Sequence, residues 1–413
     1  MNPAYLGLVY FVWFLSTYFI VVLILSLIEY KEELFISPAL DKNDILPNVS
    51  IIISAFNEEE SISASLDSLL QLDYPKEKVE IIVVNDGSTD NTREAVQPYT
   101  ENSHIHFIDN TSNKGKAACL NQGIAAATGE YVACMDADSV VDPQILKKTV
   151  PYFKNKKTGA VTVTVLVKNP KNFLEKVIEL EYILGLSLFL KIYSLFNTIQ
   201  VTPGPFSIYR KSVVDEIGGF DVTNITEDLE IAYRIHKAKY IIAFCMTTFV
   251  KTIIPNNFTG LYRQRRRWYT GAIQTAVQHR NMFFTSEYGI FGYFVPFNFA
   301  IIILGLVLFI LSQYLLVTNI IKNISLFALT NYNFLVFLSL REFDPLALSI
   351  FGFFGISSIC MTLLTLIIGM RFARQSLRTR IPGSVGFVFM FFLYQLFWFV
   401  SLYTALTKRK IRW

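Results

Sequence analysis

The sequence predicts an α/β domain on a mostly parallel, doubly wound sheet, combined with α-helical transmembrane segments. Three observations predict it. Residues 49–54 (VSIIIS) and 79–85 (VEIIVVN) are continuous apolar runs rich in β-branched side chains, as in parallel strands covered on both faces. Between them Ile62, Leu66, Leu69 and Leu70 recur at helical spacing. Of the 413 residues 52% are hydrophobic, 15% aromatic and only 17% charged. A soluble domain averages about a quarter charged, which points to lipid as the solvent of part of the chain.

The elements follow in order. Residues 5–28 carry no charge and are long enough to cross a ~30 Å hydrocarbon core. With no basic n-region before it, this run reads as a retained transmembrane helix and not a signal peptide. A helix is expected over 58–71, a third strand over 105–108 and a helix over 116–127 stopped by Thr128-Gly129. A fourth strand over 131–135 runs into Asp136-Ala137-Asp138, and 160–167 is a further strand. Alternating strands and helices give a right-handed sheet whose ligands gather at the carboxyl ends of the strands. Residues 173–193 have helical spacing interrupted by Glu175, Glu179, Glu181 and Lys191, and fit a core helix or an interfacial one equally well. Long apolar spans cover 295–321, 345–370 and 383–406, and 323–340, with Asn323, Asn331 and Asn333, reads as a re-entrant or interfacial piece.

These elements divide the chain into a transmembrane helix at 1–30, the α/β domain at 46–258, interfacial helices at 259–290 and about three spans at 291–413. Arg263, Arg265, Arg266, Arg267 and the basic clusters at 371–380 and 408–412 adjoin apolar segments, placing the α/β domain on the cytoplasmic side of a cell membrane. The last two clusters flank one span, so a single crossing cannot put both inside. The net charge of +4 is too small to imply a nucleic-acid partner. Cys119, Cys134, Cys245 and Cys360 show no metal-like spacing and read as buried reduced thiols.

Several short clusters carry chemistry. Asp86 closes the second strand before Gly87-Ser88-Thr89-Asp90, good turn chemistry in which Asp90 caps the next helix. Asp136 and Asp138, on alternate residues beside small Ala137, can hold Mg²⁺ or Mn²⁺ through oxygen ligands, although a solvated acidic turn is the commoner meaning of such a pair. Lys116 opens a helix, where a cation suits a diphosphate. Thr226-Glu227-Asp228 starts another helix, with Thr226 at the N-cap. Acidic residues belong in a first turn, and one of these could equally take a proton from an acceptor hydroxyl. In 264–268 (QRRRW) Arg267 suits a diphosphate and Trp268 a sugar face. Arg263, Arg265 and Arg266 read as a juxtamembrane patch for anionic lipid.

In this order the set resembles the membrane-embedded family-2 glycosyltransferases, above all the processive synthases of β-linked polysaccharides: poly-N-acetylglucosamine, hyaluronan, chitin and cellulose synthases. The resemblance covers about residues 49–270. It implies a GT-A domain that inverts the donor's anomeric carbon and passes a sugar from a UDP-sugar to a growing polysaccharide, which it translocates across the bilayer. It implies that Ala55, Asn57, Glu58 and Asp86 hold the nucleoside, that Lys116 lies near the diphosphate, and that Asp136 and Asp138 bind the metal, Asp138 more directly. It further implies Asp228 as general base, with Glu227 and Thr226 shaping the acceptor end, and Gln264, Arg267 and Trp268 as the element of processive members. Asn85-Asp86 departs from the two aspartates many relatives carry. Two rivals stand beside this reading. One is a transferase loading a single sugar onto a polyprenyl phosphate or other lipid acceptor; the other is an inactive nucleotide-binding scaffold. The sugar, and any accessory subunit, are not readable from the sequence.

Overall fold

In the computed structural model, residues 3–29, 37–40, 45–339, 345–372 and 381–407 are described. Eight strands form one sheet: β1 (Val49–Ala55), β2 (Val79–Asn85), β3 (Ile105–Asp109), β4 (Tyr131–Asp136), β5 (Val140–Val141), β6 (Thr158–Val167), β7 (Ser207–Arg210) and β8 (Ile241–Thr252). Their order is β3-β2-β1-β4-β7-β6-β8-β5. The predicted strands β1 to β4 are parallel neighbours, and β6 runs parallel to β8, while β7 and β5 are antiparallel to their partners. The sheet is therefore mostly parallel, as expected. β5, β7 and the 12-residue β8 were not foreseen.

Alternating strand residues supply two cores. Val49, Ile51 and Ile53 pack with Ile62, Leu66 and Leu69 of helix α1 (Ile62–Leu70), while Ile52, Ile82 and Val84 pack with Cys119, Leu120 and Ile124 of helix α2 (Lys116–Ala126). The carboxyl ends of β1, β2 and β4 thus gather Asn57, Asp86 and Asp136 on one rim of the sheet.

Residues 173–195 settle as a buried element. Helix α3 (Phe173–Ile183) passes through a π-helical turn (Leu184–Phe189) into a last helical stretch (Leu190–Leu195). Leu180, Ile183, Leu184, Leu188 and Ile192 form a core with Leu166 of β6 and with Leu366 and Met370. The helix is sandwiched between the sheet and the apolar C-terminal helices. Gly386 lets the last of those helices approach, since a Cβ there would meet Val177 Cγ2 at 2.6 Å.

Helix α4 (Glu227–Lys237) and helix α5 (Phe258–Gln278) complete the cavity wall. Three long apolar helices follow: α6 (Phe291–Leu329), α7 (Pro345–Phe372) and α8 (Ile381–Leu406). An N-terminal helix spans Pro3–Glu29. Among the described residues α6 is the one helix that passes as long and apolar enough to cross a membrane. Its 39 residues run past the expected break at 321, and Asn323 donates to Asn319 Oδ1 one turn back (3.1 Å) within the continuous helix. Residues 330–333 then turn and 334–339 are helical, so 323–340 is no separate re-entrant unit over its described part. The basic clusters at 373–380 and 408–412 lie outside the described residues. Cys119, Cys134 and Cys245 are buried free thiols; Cys360, expected buried, is exposed on α7.

Candidate active site

The strand-end turns build the rim. Asp86 is buried, and both its oxygens are engaged: Lys114 N–H donates to Oδ1 (2.7 Å) and Gly115 N–H to Oδ2 (3.0 Å). It therefore ties β2 to the loop that leads into Lys116. Gly87, at φ +69°, makes this packing possible, since a Cβ would meet Ser112 C at 2.6 Å. Asn85 spends its side chain inside the rim, donating to Asp109 Oδ1 (2.7 Å) and accepting from the Ser88 hydroxyl (2.5 Å). Asn57 sits at positive φ and accepts from Thr89 N–H (2.9 Å), Glu58 N–H donates to Thr92 Oγ1 (2.7 Å), and Ala55 is fully buried. Asp90 accepts from Thr92 N–H (3.0 Å), but it stands one residue before the N-cap of the next helix, Asn91, whose side chain makes no capping bond, so the expected cap is not formed.

A cavity of ≈ 450 Å³ opens beside this rim. Lys116, Asp136, Asp138, Thr226, Glu227, Asp228, Gln264, Arg267 and Trp268 all line it, from helices and strands up to 152 residues apart (268 − 116). The remaining expected residues, Ala55, Asn57, Glu58 and Asp86, lie on the adjoining rim and do not line it.

Lys116 stands at the centre, 2.5 Å from Asp136 Oδ1 and 3.1 Å from Glu227 Oε1. Burial alone would lower its pKa, but Asp136, Glu227 and Asp228 hold the ammonium well above the ordinary lysine value. Burial likewise opposes ionisation of Glu227, yet Lys116 and Arg267 hold it below the usual glutamate range. Asp228 is pushed up to about 6 by burial, then by the charge of Glu227, against the pull of Lys116 and Arg267. Its backbone carbonyl accepts from Thr202 N–H (3.0 Å) and Oγ1 (2.8 Å), which fixes the start of α4. Asp138 accepts from Ser139 Oγ (3.0 Å) and Thr252 Oγ1 (3.1 Å); burial, then Asp136 and Glu58, push it up to about 7.

The donor set fits a divalent cation. Asp138 is an acid whose neighbours are mostly acids, and a cation would relieve that repulsion. Among the described residues there is no group of three or more His, Cys, Asp or Glu that could hold a metal unaided. Two carboxylates with further ligands from substrate phosphates is a common arrangement for Mg²⁺.

Two expectations change. Thr226 occupies the N-cap position, but its side chain makes no capping bond; Asn224 accepts from its N–H (3.0 Å) and hydroxyl (3.2 Å) instead. Arg265 is no lipid-facing residue. It is completely buried, pairs with Glu181 Oε2 (2.6 Å) and places its guanidinium carbon 4.2 Å from the Trp268 ring centroid. Lining residues that sequence reasoning missed include Tyr182, Thr252 and the Tyr269–Trp398 pair, whose rings stack at 4.3 Å and 5°. Gly204 also lines the cavity. A Cβ there would stand 2.7 Å from Lys116 Nζ and 2.9 Å from Asp136 Oδ2. Gly204→Ala should displace the flexible lysine and leave the fold intact, lowering the rate of catalysis at this site by about tenfold, on the order of 1.4 kcal/mol of lost positioning, with an unchanged melting temperature.

Comparison with known proteins now adds to this geometry. Residues 50–218 match the model of Glycosyl transferase family 2. This segment is a family-2 glycosyltransferase domain. It holds the rim, Lys116 and the Asp136/Asp138 pair, while Asp228, Gln264 and Trp268 lie beyond the matched stretch. The chain is 34% identical over 244 residues to the poly-beta-1,6-N-acetyl-D-glucosamine synthase of Staphylococcus epidermidis, covering 58% of this chain and 59% of the relative. With the synthase of that name from Staphylococcus aureus it shares 35% over 229 residues, 55% of each. The chain thus spans less than two thirds of these relatives' length. A mannosyltransferase from Pyrobaculum calidifontis, solved with GDP-Man and Mn²⁺, superposes at a TM-score of 0.57 with 18% identity, over 97% of this chain and 99% of that one. The glycosyltransferase domain and its apolar helices therefore share that protein's fold.

Proposed function

We propose that this protein is an inverting glycosyltransferase that takes a sugar from a UDP-sugar and adds it to the hydroxyl of a growing β-linked polysaccharide. The observation that carries the reading is Asp228. It is a carboxylate pushed up to about 6, in one cavity with two metal-type aspartates and a wall of buried and half-buried aromatic rings. A base of that pKa is ionised at neutral pH and still strong enough to accept a proton from a hydroxyl as that hydroxyl attacks. The synthase relatives favour a β-linked polymer as product.

In the reaction the acceptor hydroxyl oxygen forms a bond to the anomeric carbon from the face opposite the leaving group. The anomeric C–O bond to the diphosphate breaks, UDP leaves, and the hydroxyl proton passes to a carboxylate oxygen of Asp228. Lys116 and Arg267 supply positive charge where the diphosphate accumulates its negative charge. Asp136 and Asp138 would hold Mg²⁺ or Mn²⁺, which when bound neutralises that charge further. Asn57, Glu58 and the Asp86-anchored loop form the nucleoside end, and Trp268 the acceptor end.

We further assign residues 46–258 to the cytoplasmic catalytic domain and 259–290 to the interface. The helices Pro3–Glu29, α6, α7 and α8 would enter the bilayer: among the described residues α6 is the one long and apolar enough to cross it, and the other three are mostly apolar stretches of 26 to 28 residues. The product would leave toward α8, whose Trp398 lines the same cavity. Supplying purified protein with UDP-N-acetylglucosamine, UDP-glucose and UDP-glucuronate separately, and sizing the product, tests the reading. A ladder of polymer from one donor is expected. Trp268→Ala should shorten or abolish that ladder while UDP binding is kept, because it removes the sugar-stacking face and leaves the nucleoside end intact. A wild-type product of one sugar on a lipid would defeat the polymer claim and leave sugar transfer standing.

A further inference from the structure

The completely buried Arg265 belongs to none of the roles above. Its guanidinium does not line the cavity, yet it touches two residues that do. Nη1 donates to Gln264 Oε1 (2.6 Å), and the guanidinium face lies over the Trp268 ring, 4.2 Å from carbon to centroid. Nη2 donates to Glu181 Oε2 (2.6 Å), on α3. The Tyr394 hydroxyl, on α8, bonds that same carboxylate oxygen, and the Tyr394 ring lies 5.8 Å from the guanidinium carbon. One buried cation therefore joins three separate elements at the back of the aromatic wall.

An ion pair whose arginine is fully buried and whose glutamate is partly buried is a poor source of net stability, because desolvation offsets the attraction. Apolar residues of similar volume would fill the same space. What a guanidinium adds is geometry: a planar fork that bonds along its edge while its face stacks on an indole. Here the edge reaches Gln264 and Glu181, and the face meets Trp268.

We propose that Glu181, Arg265 and Tyr394 are positioning residues that lock the Trp268 ring at the acceptor end of the cavity, so that α8 sets how tightly the growing chain is held. This rests on reading that end of the cavity as the acceptor site. The network touches Trp268 and Gln264, and among the described residues it makes no hydrogen bond or ion pair with Asp86 or Lys116, so it governs acceptor affinity and leaves donor affinity alone. Arg265→Met keeps the volume and removes charge, fork and stacking together. Arg265→Lys keeps the charge and loses the planar face. Tyr394→Phe removes the hydroxyl and leaves Arg265 and Glu181 paired.

The full chain in lipid nanodiscs, labelled with fluorotryptophan, tests this. Fluorine NMR reads the Trp268 ring, its resonance assigned through Trp268→Phe. Titration calorimetry reads UDP affinity. Initial rates with a short β-linked N-acetylglucosamine oligosaccharide read acceptor KM and kcat. Arg265→Met should shift or broaden the Trp268 resonance and raise acceptor KM about tenfold, a loss of ~1.4 kcal/mol, with UDP affinity unchanged within about twofold. Arg265→Lys and Tyr394→Phe should move the same two readouts in the same direction by smaller steps, and they carry the test if Arg265→Met does not fold. Folded variants with an unmoved Trp268 resonance overturn the proposal. So does a proportional loss of UDP affinity, kcat and acceptor binding, which marks a purely structural pair. If the wild type transfers no sugar to any acceptor, the functional reading fails by itself; the fluorine signal still decides whether Arg265 fixes the indole.

Discussion

Asp228→Asn should lower sugar transfer by about 10²- to 10⁴-fold, the usual contribution of a positioned general base, while UDP affinity stays within a few-fold of wild type. The amide occupies the same volume but cannot take the acceptor's proton. Nothing else at the start of α4 needs to move, because Thr202 binds the Asp228 backbone carbonyl and not its side chain. Loss of one negative charge beside Glu227 and Lys116 leaves their own ion pair intact at 3.1 Å. The pH profile gives a second check. A base must be deprotonated to act, so kcat should fall as pH drops through about 6, the value to which burial and Glu227 push this group. Incorporation of labelled sugar and calorimetric UDP binding, measured on the same preparation, separate the outcomes. A mutant that loses both in proportion would show that Asp228 serves as a helix-capping carboxylate and not as the base.

How much of this was legible in the sequence follows from what each residue's neighbours are. β1, β2 and β4 are buried on both faces, so their apolar runs stand out unaided, and Asp136 is conspicuous as the carboxylate that ends one of them. β7 has four residues, too few for a pattern. β8 escapes because Met246, Thr247 and Thr248 break its apolar run where its pairing with β6 slips, between Cys245 and Phe249. Thr252, the last residue of β8 and a hydrogen-bond donor to Asp138, escapes with it. The three consecutive arginines illustrate a different limit. At the level of sequence Arg267 stands apart from its two neighbours, but Arg265 and Arg266 share one meaning. A helix, however, turns about 100° per residue and sends adjacent side chains to different surroundings. Arg265 faces the interior and Arg267 faces the cavity. The clue to Arg265 lay 84 residues earlier: Glu181 looked like an interruption of an apolar helix and is the half-buried counter-charge of that arginine. Long-range pairing of this kind has no local signature, whereas the chemistry at strand ends does.

Asp138→Asn should lower transfer by about 10³-fold, on the order of 4 kcal/mol of lost transition-state stabilisation. The magnitude follows from charge. Asp136 shares its charge with Lys116 at 2.5 Å, whereas Asp138 is held by hydroxyls, so Asp138 has more charge to offer a divalent cation. Its two protein partners, Ser139 and Thr252, are neutral hydroxyls that hold its orientation without compensating its charge. The asparagine carbonyl can still accept from both, so the variant should fold normally; what it loses is the negative charge. Wild-type activity should depend on added Mg²⁺ or Mn²⁺ and disappear in excess chelator, and the variant should need much higher metal concentrations for its residual rate. A melting temperature within about 2 °C of wild type would separate this loss from unfolding, since a change of 1 kcal/mol in a domain of this size moves it by roughly 2–4 °C. Full wild-type activity in chelator would remove the metal from the mechanism. Stabilisation of the leaving diphosphate would then fall to Lys116 and Arg267 alone, and neutralising either one should cost the several orders of magnitude assigned here to Asp138.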